Sequence, residues 1–139
     1  MLDIKLNKDK DYWDIDFENG DFALTNSIDT ALYMSIFCEK QATASQVSDP
    51  LLRRGHFTNL FYEKELGSFL WFYTYQHSLT DITMQNARKT INESLQWLIN
   101  DKFVSSVEVN VSKQNNTLNA EIALTGSQEN TRYYNLTIV

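Results

Sequence analysis

The chain has few of the residues that usually announce a function. It holds one cysteine, one proline, two histidines and four glycines in 139 residues. A single thiol, Cys38, cannot make an intramolecular disulfide. It sits in an apolar helical stretch that begins at Leu32 and reads as a small buried hydrophobe. A catalytic thiol would need a nearby histidine, and His56 and His77 belong to other segments. Basic charge is also short: 12 Lys and Arg stand against 18 Asp and Glu, for a net charge of −6 and a pI of about 4.8. That balance argues against a broad basic surface for nucleic acid and against attraction to an anionic membrane. No run approaches the roughly 18–20 apolar residues of a membrane span. The opening MLDIKLNKDKDYWD is charged throughout and lacks the apolar centre of a signal peptide. The expectation is a protein made and kept in the cytoplasm.

What is present is an ordinary globular balance, with 42% hydrophobic and 13% aromatic residues. A chain of this length fits one domain, residues 1–139, and can bury roughly 68–70% of its unfolded surface without staples.

Local patterning predicts the elements. Trp13, Ile15 and Phe17 alternate with Asp14, Asp16 and Glu18, the period of a half-buried strand. Asn19-Gly20 suits a type I′ turn, and Phe22 and Leu24 resume the alternation, so residues 12–25 read as a β-hairpin. Leu2, Ile4 and Leu6 suggest an outer strand. A helix capped by Asn26 or Ser27 should follow and end near residues 41–45. Residues 45–78 are irregular but rich in apolar groups such as Leu51, Leu52, Phe57, Leu60, Phe61 and Tyr62. They predict a long loop packed onto the domain, then a short helical element near residues 68–75. Met84, Ala87, Ile91, Leu95 and Leu98 form a clean helical stripe after the cap Thr80, predicting a helix from Asp81 to Asn100. Val107, Val109 and Val111, then Leu118, Ala120, Ile122 and Leu124, then Tyr134, Leu136 and Ile138 each alternate. Three such strands with short turns make an antiparallel meander. The fold class is α+β: an N-terminal hairpin, two main helices and a C-terminal three-stranded meander.

No catalytic motif stands out. There is no zinc-ligand spacing, no P-loop and no dinucleotide fingerprint, and no catalytic residue, metal or cofactor is expected. Asp14 and Asp16 read as the wet face of a strand. Glu63 and Glu65 flank Lys64 in what reads as a solvated charge cluster. His77 reads as a residue of the loop before the second long helix. His56 neighbours Arg54 and is not expected to carry a reaction. Trp71 and Trp97 read as packing residues or as anchors on a partner surface.

The stretch SDPLLRRGHF, residues 48–57, is the exception to this plainness. It gathers the one proline, Pro50, two adjacent arginines, Arg53 and Arg54, and Gly55. Pro50 fixes φ and Gly55 permits a tight bend. The arginines admit two readings. One is an internal clamp onto loop carbonyls or a carboxylate such as Asp49, which the planar guanidinium suits. The other is docking onto an acidic neighbour.

Taken in order, NGDFALT, TALYMSIFCEKQA, DPLLRRGHF, LGSFLWF and ESLQWLINDKFVSSVEVNV resemble the phage Mu-type baseplate protein family. That family resembles in turn the T-even wedge subunit once labelled a tail lysozyme and now regarded as a sheath initiator. The resemblance runs from about Leu2 to Leu124. It implies a small α+β structural subunit of a contractile-tail baseplate, placed where wedges meet the tube and first sheath ring. The implied partners are other wedge and tube or sheath proteins, with homo-oligomerisation left open. The implied location is the host cytoplasm during assembly and then the tail baseplate. The family's loop motif falls on Arg53, Arg54 and Gly55, and its loop closure on Gly67, Ser68, Leu70 and Trp71. The sequence departs from the pattern at His56 and Phe57, where relatives often carry tryptophan-like bulk. The old label implies a rival, a peptidoglycan hydrolase. It would need two convergent carboxylates, for which Glu63, Glu65 and Glu93 are the candidates.

The last strand adds a further expectation. Residues 133–139, YYNLTIV, have strong β-propensity and no charged side chain. They predict an edge strand completed by pairing with a partner, with Tyr133 and Asn135 on its outer face.

Overall fold

The computed structural model describes residues 2–9, 12–61, 63, 65–75 and 78–138. Tyr62, Lys64, His77 and Val139 lie outside the described residues. Among the described residues the architecture is α+β: short N-terminal strands, three helices, then an antiparallel sheet of three strands. The chain divides into two compact units, residues 1–34 and 35–139, with the cut inside the first helix.

The first unit contains β1 (Asp3–Ile4), β2 (Leu6–Asp9), β3 (Tyr12–Ile15), β4 (Phe17–Glu18), β5 (Asp21–Phe22) and β6 (Leu24–Thr25). They form three antiparallel ladders: β1 with β6, β2 with β3, and β4 with β5. Each long strand is broken at one residue: Lys5, Asp16 or Ala23. These residues close a ring of backbone hydrogen bonds. Lys5 N–H donates to Ala23 O at 2.8 Å, Ala23 N–H to Asp16 O at 2.8 Å, and Asp16 N–H to Lys5 O at 3.0 Å. The ring corrects the hairpin expected over residues 12–25. The Asn19-Gly20 turn forms, with φ of 54° and 81°, but its hairpin covers only β4 and β5. Beyond Asp16 the chain pairs with β2 instead. The expected apolar face is cut at the same place: Phe17 is 63% exposed and covered only in part by Phe22, whose ring centroid lies 5.2 Å away.

Helix α1 (Asp29–Phe37) starts where Ser27 Oγ accepts from Asp29 N–H at 3.2 Å. Thr30 Oγ1 donates to Ile4 O at 2.6 Å, and the Tyr33 ring lies 4.2 Å from that of Trp13. The helix stops at Phe37, short of the expected 41–45. Residues 38–40 have another use for their backbone. Ser68 N–H donates to Cys38 O at 2.9 Å, and Lys40 N–H to Ser68 O at 3.0 Å, forming a parallel bridge. A carbonyl or amide committed to that bridge cannot also extend the helix.

In the second unit, residues 45–78 contain two 3-10 turns, Pro50–Leu52 and Phe57–Leu60, and the short helix α2 (Leu70–Tyr75). Helix α3 (Asp81–Asn100) begins as expected, with Thr80 Oγ1 accepting from Thr83 N–H at 3.2 Å. Ala87, Ile91, Leu95 and Leu98 are fully buried, and Met84 is half-buried. The helix closes through Lys102, at φ 62°, with Phe103 N–H donating to Leu98 O.

The sheet runs β7 (Ser106–Gln114), β8 (Thr117–Thr125), β9 (Thr131–Ile138), in that spatial order. Asn115 and Asn116, both at positive φ, form the first turn. Leu118, Ala120, Ile122 and Leu124 point to the buried face of β8, opposite Val109 of β7 and Leu136 and Ile138 of β9. Arg88 of α3 donates Nε–H to the Val109 carbonyl at 2.8 Å, so the helix occupies part of the outer edge of β7. Among the described residues β9 pairs only with β8, which leaves it as the opposite edge. Also among the described residues, no helix is long and apolar enough to cross a membrane, and no group of three or more His, Cys, Asp or Glu is arranged to hold a metal ion.

Candidate functional site: a clamped loop and an acidic cleft

The SDPLLRRGHF loop is held from within by polar contacts. Asp49 Oδ1 accepts from Leu51 N–H at 2.9 Å, and Pro50 takes the first position of the 3-10 turn. Proline suits that position because its missing N–H would have no partner there. Arg53 is the clamp: Nε–H donates to Val47 O at 2.8 Å and Nη2–H to Ser48 O at 2.9 Å. Its own carbonyl accepts from Ala42 N–H at 2.9 Å. Arg54, at φ 54°, turns the other way. Its Nη1 lies 2.6 Å from Glu39 Oε1, and its guanidinium carbon 4.8 Å from the Trp71 ring centroid. The carboxylate that meets an arginine is therefore Glu39, not Asp49, which is busy capping the turn. Gly55, at φ 118°, comes so close to Gln41 that a Cβ would lie 2.9 Å from the Gln41 Cβ.

The anchoring of this loop differs from the sequence expectation. Its large apolar side chains do not hold it to the domain. Leu51 is 91% exposed, Leu52 59%, Phe57 68%, Leu60 82% and Phe61 76%. The 3-10 turns point them outward, and the inward contacts come from Val47 and Ala42 against Trp71 and Phe72. His56 accepts from Thr58 N–H at 3.4 Å, and its ring lies 4.6 Å from that of Phe57.

Gly67, Ser68, Leu70 and Trp71 form an internal staple. A Cβ on Gly67 would fall 2.2 Å from Cys38 O, so only glycine fits. Ser68 Oγ donates to Ile36 O at 2.6 Å and accepts from Leu70 N–H at 3.1 Å. Trp71 is buried, and its Nε1–H donates to Lys40 O at 2.9 Å. Trp97 is half-buried, with Nε1–H donating to Ser35 Oγ at 2.9 Å and its ring edge-on to Phe103. Tyr133 (77% exposed) and Asn135 lie on the outer face of β9. Burial, and then the charge of Glu39, push the Cys38 thiol above its ordinary value. It is therefore held as the thiol near neutral pH, not as a nucleophilic thiolate.

Sequence reasoning missed a cleft of about 490 Å3 in the second unit. Among the described residues, Glu63, Glu65, Glu93, Asp101 and Lys40 line it. Phe69 and Trp97 supply aromatic surface, and most of the lining is apolar. Lys40 Nζ lies 2.7 Å from Glu65 Oε2 and 5.3 Å from the Phe69 ring centroid. The three glutamates suspected of carboxylate chemistry thus share one cavity, which their positions in the sequence did not reveal. All three are exposed, however. A general acid is usually a desolvated carboxyl.

Residues 28–131 match the family described as Phage protein GP46. The match spans the helices, the clamped loop, the cleft, β7 and β8. The chain belongs to that family of phage proteins. No curated protein and no solved structure matches it.

Proposed function

We propose that this chain is a structural, non-enzymatic subunit of a contractile-tail baseplate, in a phage or phage-derived particle. In this reading it acts as a template on which neighbouring wedge subunits and the first sheath ring become ordered. The observation that carries the reading is the loop. Its backbone is fixed by Asp49, Pro50 and Arg53, while Leu51, Leu52, Phe57, Leu60 and Phe61 face solvent. Large apolar side chains exposed this densely along one short segment favour an interaction surface. A prefixed backbone lowers the ordering cost of docking. Membership of a phage protein family and the resemblance to Mu-type baseplate proteins support the same assignment. The partners are then wedge, tube and sheath proteins, met in the host cytoplasm and retained in the tail.

The hydrolase alternative has less support. Its candidate carboxylates are exposed, and Glu65 is already paired with Lys40. The test is co-expression with the proteins encoded beside it, comparing wild type with Leu51→Asp and Phe57→Ser. Co-purification that both substitutions abolish, with unchanged thermal melting, supports the reading. Peptidoglycan release by the pure protein, abolished by Glu63→Gln, Glu65→Gln or Glu93→Gln, sinks it.

A further inference from the structure

A second groove, of about 580 Å3, lies within the second unit between α3 and the outer edge of β7. Gln85, Arg88, Lys89 and Asn92 line it from the helix, and residues 107–110 from the strand. Every residue of both elements is among those described. The register of β7 decides which of its backbone groups face the groove. Asn115 and Asn116, at φ 49° and 64°, close a two-residue turn, so Gln114 and Thr117 are a hydrogen-bonded pair. Counting back by twos, Ser112, Asn110 and Glu108 bond to β8, while Val111, Val109 and Val107 turn their N–H and C=O outward. The Val109 carbonyl agrees, since it accepts from Arg88 Nε–H at 2.8 Å. The N–H of Val109, itself a buried residue, has no acceptor among the described residues. An unpaired N–H on a buried residue is rare. The two terminal nitrogens of Arg88 likewise have no acceptor among the described residues. Lys89 meets Glu93 only at 3.8 Å. Glu108 alternates with Val109, so its side chain stands on the opposite face of the sheet.

We propose that this groove receives an acidic side chain from a neighbouring polypeptide. The Arg88 fork matches a carboxylate in two parallel hydrogen bonds. Its Nε is already fixed on the strand, so the fork is held in place before binding. The Val109 N–H supplies a further donor beside it, and Lys89 a second positive charge. Charge complementarity sets the location: on a chain of net charge −6, an acidic segment is repelled broadly and attracted here. The inference rests on the assembly reading only in taking the carboxylate from a protein neighbour.

The test uses the full-length protein and three probes: acetyl-Thr-Glu-Thr-amide, its neutral glutamine counterpart and inorganic phosphate. Binding is followed by the NMR shifts of the Val109 amide and the Arg88 Nε–H. The glutamate peptide should give saturable shifts confined to the groove. It should bind about fivefold tighter than the glutamine peptide at low salt, and the difference should shrink as salt is added. Arg88→Gln should abolish the difference, while Arg132→Gln on β9, the opposite edge of the sheet, should leave it unchanged. Arg88→Gln also loses the bond to Val109. Lys89→Gln, which breaks no backbone bond, carries the same test if that variant does not fold, and should weaken the glutamate peptide about twofold. Equal binding of the glutamine peptide, shifts outside the groove, no saturable shift, or full binding by Lys89→Gln overturns the proposal. Phosphate bound more tightly than the glutamate peptide would make the groove a general anion site and overturns the assignment to a carboxylate. None of these outcomes touches the loop, whose role is read separately through Leu51→Asp and Phe57→Ser.

Discussion

The Arg54 guanidinium lies over the Trp71 ring, 4.8 Å from its centre, and reaches Glu39 with its Nη1. Its neighbour Arg53 instead donates to the Val47 and Ser48 carbonyls. Two adjacent arginines therefore do different work: one holds the loop's backbone, the other ties the loop to the bridge beside Trp71. Arg53→Ala leaves two loop carbonyls without their donor and should lower stability by roughly 1–3 kcal/mol. Arg54→Ala removes a part-exposed ion pair worth about 0.2–1 kcal/mol and a cation–π contact of similar size. Urea denaturation of the two variants checks the order. Equal losses would count against separate roles.

Gly67 and Gly20 both sit at positive φ, but their surroundings differ. A Cβ at Gly67 would lie 2.2 Å from Cys38 O, whereas nothing lies within 4 Å of one at Gly20. Gly20→Ala should cost about 1 kcal/mol of backbone strain. Gly67→Ala should cost well over ~2 kcal/mol, because the Ser68 N–H to Cys38 O hydrogen bond must also open. Thermal melts decide this, and a Gly67→Ala protein as stable as Gly20→Ala would refute the staple.

The strand ring carries a pH signature. The Lys5 ammonium donates to the Asp16 carboxylate at 2.7 Å. That hydrogen bond, more than any other cause, lowers the Asp16 pKa from 3.8 and raises the Lys5 pKa from 10.5. For the carboxylate, the stabilisation is complete above its unfolded value and fades as pH falls through the lower folded value. For the ammonium, it is complete below its unfolded value and fades as pH rises through the higher folded one. The contribution should therefore be flat across neutral pH and disappear at both extremes. Stability curves of wild type and Asp16→Asn should converge toward acid. A constant gap down to the lowest pH at which the fold survives would contradict the pairing.

Among the described residues, strand β9 pairs on one side only, with β8. Asn135→Lys places a charge on its exposed face, a device that natural edges use against strand addition. The variant should melt like wild type and lose particle assembly or self-association, read by sedimentation. Unchanged assembly would mean that nothing pairs there.

Much of this fold was legible because its causes are local. Asn19-Gly20 makes its turn from two residues that tolerate positive φ. Thr80 and the stripe Ala87, Ile91, Leu95 and Leu98 specify α3 through a cap and a period. The alternation in residues 107–111, 118–124 and 134–138 specifies the meander in the same way. Non-local competition decided the rest. The N-terminal strands exchange partners because the amides of Lys5, Asp16 and Ala23 find one another across as many as 18 positions of chain. Helix α1 stops at Phe37 because Ser68, far along the sequence, takes the backbone of residues 38–40. Side-chain composition could not say whether Leu51 and Phe61 face the core, since that depends on Arg53 and Asp49 having already set the turn. The cleft was hidden for the same reason: Glu63, Glu93 and Asp101 come to line one cavity only once α3 has packed beside the loop. The sequence by itself determined each turn, cap and period, which are interactions between near neighbours. Only the tertiary structure decided which distant backbone group satisfied which, and hence which side chains were left facing outward.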